Sequence, residues 1–130
     1  MGKHMKYLAG IALWLISSAS FASPSPADDE RPPALNCEVG PLHKTYGKTD
    51  WLVYGCDDAR SVVVVSAEGN PAVPFYFIVY VKPDGAMKLY GEGNGDKSAT
   101  QAAFDELKQL SQTDVAVLVA QAQAMRPAGG

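Results

Sequence analysis

Residues 75–91 constrain the fold most: Phe-Tyr-Phe-Ile-Val-Tyr-Val, then Lys-Pro-Asp-Gly, then Ala-Met-Lys-Leu-Tyr-Gly. Two β-rich runs flank a tight-turn tetrapeptide, the signature of a β-hairpin. Phe75, Phe77, Val79 and Val81 fall on one face at period two, and Tyr76, Ile78 and Tyr80 on the other. Both faces carry apolar surface, so this strand belongs inside a sheet rather than at its border.

Upstream, residues 50–56 (Asp-Trp-Leu-Val-Tyr-Gly-Cys) and 61–66 (Ser-Val-Val-Val-Val-Ser) read as two more strands, joined by the turn-forming Asp57-Asp-Ala-Arg60. Residues 67–74 hold Glu-Gly-Asn-Pro and a second proline, which break the ladder before the third strand at 75–82; a fourth follows at 86–90. Residues 41–48 are turn-rich and are read as a loop pinned by Leu42 and Tyr46. After residue 91 the period changes. Ser98 with Gln101 suggests a capping box, and Ala103, Phe104, Leu107 and Leu110 form one stripe of a helix near residues 99–110. Ser111 and Asp114 offer a second cap, and Val115, Leu118, Val119, Ala122 and Met125 mark a second helix. The expected fold is α+β: a four-stranded antiparallel meander sheet packed on one face by two C-terminal helices. Phe75, Phe77, Val79 and Val81 are expected to meet Phe104, Leu107, Leu118 and Val119 there.

The N-terminus reads as a signal peptide over residues 1–22. Lys3, His4 and Lys6 precede a short apolar run at 7–16, and Ser20-Phe-Ala22 supplies the small residues of a cleavage site near Ala22. The run falls well short of the roughly 20 residues of a membrane-spanning helix. Met1 and Met5 serve equally as the start. Residues 23–35 follow as a flexible proline-rich leader, 36–126 as a single α+β domain and 127–130 as a disordered tail. Export to the periplasm or the medium sets the redox context. The only two cysteines, Cys37 and Cys56, are expected to form a disulfide.

Charge excludes one class of partner. The chain has 11 Lys and Arg against 14 Asp and Glu, with a net charge of −3, and two of those lysines fall in the signal segment. An acidic domain does not suit nucleic acid or anionic lipid.

No chemistry-bearing motif emerges. Gly91-Glu-Gly-Asn-Gly-Asp-Lys-Ser98 has the glycines of a phosphate loop, but Asp96 stands where the Walker pattern needs glycine before Lys-Ser. Glu92, Asn94 and Asp96 leave a weak calcium site open, although an EF-hand starting at Glu92 needs its bidentate glutamate where Ala103 stands. Asp57 and Asp58 read as turn formers. His43 is the sole imidazole after the signal segment and has no nucleophile motif around it. No catalytic residue, metal or cofactor is assigned, and the chain is read as a non-enzyme.

What remains is aromatic. Tyr76 and Tyr80 share the face opposite the phenylalanines, and strand pairing brings Trp51, Tyr54 or Tyr90 beside them. Tyrosine offers a large rigid surface with a polar tip, which suits recognition. The expectation is a small exported protein-binding module, an inhibitor or accessory factor, that presents this face to a protein partner or to a second copy of itself. The alternative is a binder of cell-envelope carbohydrate or another small ligand, held on the same face or under the 67–74 loop.

Overall fold

The structure, a computed structural model, describes residues 33–125. The segments expected to be a signal peptide with cleavage near Ala22, nearly all of the expected leader and the expected tail at 127–130 lie outside the described residues. Seven elements follow in order: β1 (Val39–Tyr46), β2 (Thr49–Gly55), β3 (Val62–Ser66), β4 (Phe75–Val81), β5 (Met87–Gly93), α1 (Lys97–Leu107) and α2 (Gln112–Ala124). The strands form one antiparallel meander in the order β1-β2-β3-β4-β5. The expected α+β architecture is present, with five strands rather than four.

The additional strand is β1, in the stretch that the sequence marks as turn-rich. Two features disguised it. Gly40-Pro41 sits at an irregularity of register between Val39 and Leu42, where a border strand tolerates a residue with no N–H to donate. Gly47 and Lys48 then form a two-residue turn with φ of 57° and 66°, the left-handed pair that matches the twist of a hairpin. Gly47 is required for a second reason: a Cβ there would lie 2.5 Å from the Ala103 nitrogen. The turn is held against α1, where the Gly47 N–H donates to Glu106 Oε1 at 2.8 Å.

Register decides which side chains share a face. Trp51 opposes Ser66, Val53 opposes Val64, Val64 opposes Phe77, and Val62 opposes Val79. All are buried, and with Val81 they build the core under Ala103, Leu107, Val115, Leu118 and Val119 of the two helices. Phe75 and Phe104 pack against it half-buried, so the expected meeting of the phenylalanine face with the helices is present. Trp51 is the hub: its ring centroid lies 5.3 Å from that of Phe77, and its indole N–H donates to the Tyr46 carbonyl at 3.0 Å. Fully burying each valine contributes on the order of 2 kcal/mol, which makes this face the main source of stability.

The helix ends use different residues in part. Ser111 and Asp114 form the expected capping box of α2. The cap of α1 is instead Asp96, whose carboxylate accepts from the Ser98 and Ala99 N–H groups. Gln101 turns away and donates to Asp105 at 3.0 Å. As a cap aspartate matches serine, and its charge also meets the positive end of the helix dipole.

Two buried serines tie β3 to β4 beyond their ladder. The Ser61 hydroxyl accepts from the Val81 N–H at 3.0 Å and donates to Asp58 Oδ2 at 2.6 Å. At the other end, Ser66 Oγ accepts from the Phe75 N–H at 3.1 Å. Cys37 and Cys56 are joined as expected, with a sequence separation of 19. Among the described residues no helix is long and apolar enough to cross a membrane.

Candidate functional site

The same register that fills the core paves the opposite face of the sheet. One row across it runs His43, Leu52, Val65, Tyr76 and Glu92; the next runs Tyr54, Val63, Ile78 and Tyr90; a third carries Tyr80 beside Lys88. No helix or strand among the described residues packs on this side. Leu52, Tyr54, Val63, Val65, Ile78, Tyr80 and Tyr90 are partly buried, and Tyr76 is exposed.

Four of the five aromatic residues expected at the site therefore come together: Tyr54, Tyr76, Tyr80 and Tyr90. Trp51 does not. It is fully buried on the helix-covered side, because period two places it with Val53 and the register aligns that pair with Ser66 and Val64.

The tyrosine tips differ in their bonding. The Tyr76 hydroxyl donates to Glu92 Oε1 at 3.0 Å. That bond, reinforced by slight desolvation and by the carboxylate charge, holds its pKa above the ordinary tyrosine value. Tyr76 thus stays a neutral donor. The hydroxyls of Tyr54, Tyr80 and Tyr90 make no hydrogen bond among the described residues, which leaves polar groups on an otherwise apolar surface.

At one end of this face lies a cleft of about 460 Å³, walled by Val65, Val73, Pro74, Phe75 and Tyr76, with Glu92 at its rim. Its outer wall is the loop between β3 and β4, and that loop is fixed. Asn70 Nδ2 donates to the Asp50 carbonyl at 2.6 Å, and Asn70 Oδ1 accepts from the Ala72 N–H at 2.7 Å. From the other side the Asn94 and Gly95 N–H groups both reach the Pro74 carbonyl, at 2.8 and 3.1 Å. Ala72 is fully buried beneath it. Sequence reasoning located the loop but missed the wall; the one signal was Val73, an apolar residue between prolines.

The remaining candidates dissolve into structural roles. The N–H groups of Asn94, Gly95 and Asp96, which a phosphate loop would aim at its ligand, are spent on the carbonyls of Pro74 and Pro71. The Asp96 carboxylate caps α1 and the Glu92 carboxylate accepts from Tyr76, so two of the three oxygen donors considered for calcium already carry other bonds. Among the described residues no cluster of three or more His, Cys, Asp or Glu side chains is placed to hold a metal. Asp58 shapes the turn between β2 and β3: it accepts from the N–H groups of Arg60 and Ser61 at 2.9 and 2.8 Å. His43 lies exposed on β1, and its imidazole makes no hydrogen bond or ion pair among the described residues. Compared with known proteins, the chain matches no family model, and neither a curated protein nor a solved structure shows significant similarity to it.

Proposed function

We propose that this chain is a small exported, non-enzymatic binding module that presents the Tyr54–Tyr76–Tyr80–Tyr90 face of its sheet to a protein partner. One observation carries the reading. Among the described residues, the five-stranded sheet is covered by helices on one side only, and its other side is paved with aliphatic and tyrosine side chains. A half-covered antiparallel sheet ordinarily alternates apolar inside with polar outside. Here the outer rows are apolar too, and contiguous apolar surface rimmed by polar groups is the mark of an interaction site. Tyrosines suit the centre of such a patch, since they bury much area with little rotamer entropy. Export is supported by the N-terminal sequence and agrees with the disulfide. The carbohydrate alternative relied partly on Trp51 as a stacking platform, and Trp51 is buried.

The test is capture of a binding partner from periplasmic extract with Tyr54→Ala plus Tyr80→Ala, a pair remote from the cleft. Loss of the partner, with the circular dichroism of the variant unchanged, is the expected result. Equal capture by the variant would refute the assignment of this face. A shift of the wild type alone to twice the monomer mass in sedimentation would identify the partner as a second copy.

A further inference from the structure

Within the partner-binding reading just given, on which this step rests, the cleft beside Tyr76 narrows the chemistry of the partner. We propose that it receives an apolar side chain that stands next to a lysine or arginine in the bound segment.

Three observations lead there. First, exposed apolar groups concentrate at the cleft. Val73 and Tyr76, at 41% and 37% exposure, are two of the four large hydrophobic residues that the described chain leaves exposed, and both line it. The cleft volume of about 460 Å³ exceeds that of any single side chain and falls within the range of small-ligand pockets. Second, the site is preformed. The loop that carries Val73 and Pro74 is anchored to β2 through Asn70 and Asp50, and to the segment after β5 through Asn94 and Gly95, so no wall has to be ordered on binding. Preorganisation of this kind saves the entropy that a mobile loop would lose. Third, the charged side chain lining the cleft is an acid. Glu92 is positioned by the Tyr76 hydroxyl through Oε1, and its second oxygen has no partner among the described residues. A carboxylate held at the mouth of an apolar cleft repels an acidic neighbour and attracts a basic one. The net charge of the whole chain has the same sign.

The experiment is an amide NMR titration of the full oxidised chain with acetyl-Phe-Arg-amide, using acetyl-Phe-Glu-amide and acetyl-Gly-Arg-amide as controls. Shifts confined to Val65, Val73, Tyr76 and Gly93 are expected with the first peptide. Its affinity should exceed that of the glutamate control about fivefold, the range of a partly exposed ion pair. Glu92→Gln should abolish this preference while the residual shifts stay at the same amides. Salt should weaken the Phe-Arg peptide in the wild type and not in that variant. Equal affinity for the arginine and glutamate peptides, or shifts elsewhere, would overturn the proposal. The two readings fail separately. Partner capture lost in the Tyr54/Tyr80 variant but insensitive to Glu92→Gln and Val73→Asp sinks the cleft and keeps the face. Peptide shifts at the cleft with capture unchanged in the Tyr54/Tyr80 variant do the reverse.

Discussion

Ser61→Ala tests the claim that one buried hydroxyl couples the β2–β3 turn to β4. In the wild type, Ser61 Oγ takes the Val81 N–H at 3.0 Å and gives its own proton to Asp58 Oδ2 at 2.6 Å. Val81 is 3% exposed, so no water replaces the hydroxyl, and an orphaned buried N–H costs about 1–3 kcal/mol. The bond to Asp58 is charge-assisted, but the two backbone N–H donors and Arg60 still serve that carboxylate, so only part of its value is lost. The total is about 2.5 kcal/mol, which moves a urea midpoint down by about 1.5 M for a domain of this size. The effect has a pH signature. Burial of Asp58 works to raise its pKa, yet the bonds from Ser61 and Arg60 and the charge of Arg60 outweigh it and hold the carboxyl below the ordinary range. A depressed folded pKa stabilises fully above the unfolded value, near 3.9, and that stability disappears as pH falls through the folded one. Ser61→Ala has less of it to lose, so the gap between variant and wild type should narrow in acid and keep only its Val81 part. Urea melts at pH 7 and pH 2.5 measure both quantities. A midpoint within about 0.3 M of wild type at pH 7, or a gap that widens in acid, would refute the reasoning.

Further outcomes follow from other sites. Burial, with Glu106 nearby, pushes the Tyr46 hydroxyl up to about 12 from 10.0, so its contribution is intact below pH 10 and is lost as pH rises through the folded value. Tyr46→Phe removes a hydroxyl with no hydrogen bond among the described residues, and should retain its circular dichroism further into alkali than wild type. Lys48 holds a left-handed φ of 66°, so Lys48→Gly should stabilise by about 0.5–1 kcal/mol in urea melts. Gly47→Ala should destabilise by about 2 kcal/mol through strain and collision with α1. Reducing Cys37–Cys56 frees a loop of roughly 20 residues and should cost about 3 kcal/mol, a drop of about 15 °C in thermal midpoint. An unchanged midpoint in dithiothreitol would show the bond to be energetically idle.

Period-two patterning placed β2 to β5 because each strand carries its own alternation of side chains. β1 escaped because Gly40-Pro41 and Gly47-Lys48 carry loop chemistry, and nothing local states that a proline sits at a register irregularity on a border strand. The tyrosines of β4 were legible as a face, since alternation within a strand needs no partner. The exclusion of Trp51 was not, since its side depends on how β2 aligns with β3, and register is a property of two strands. Ser61 and Ser66 look like ordinary strand ends for the same reason. Their bonds run to amides 20 and 9 residues away. The breakers at 67–74 announced the end of a ladder but could not announce the anchoring by Asn70, Asn94 and Gly95.

The two borders of the sheet are unlike, and that limits how copies of this chain can join. β1 carries Pro41 at an interruption of register between Val39 and Leu42, so another strand finds no ladder there that runs its full length. β5 has seven residues without proline, and no described element pairs with its outer side. A fibre built strand to strand needs two open borders in every copy, and among the described residues this sheet offers one without a break. A union of two copies through β5 would therefore be two-fold: a doubled sheet bounded at both ends by β1, with no second unbroken border among the described residues.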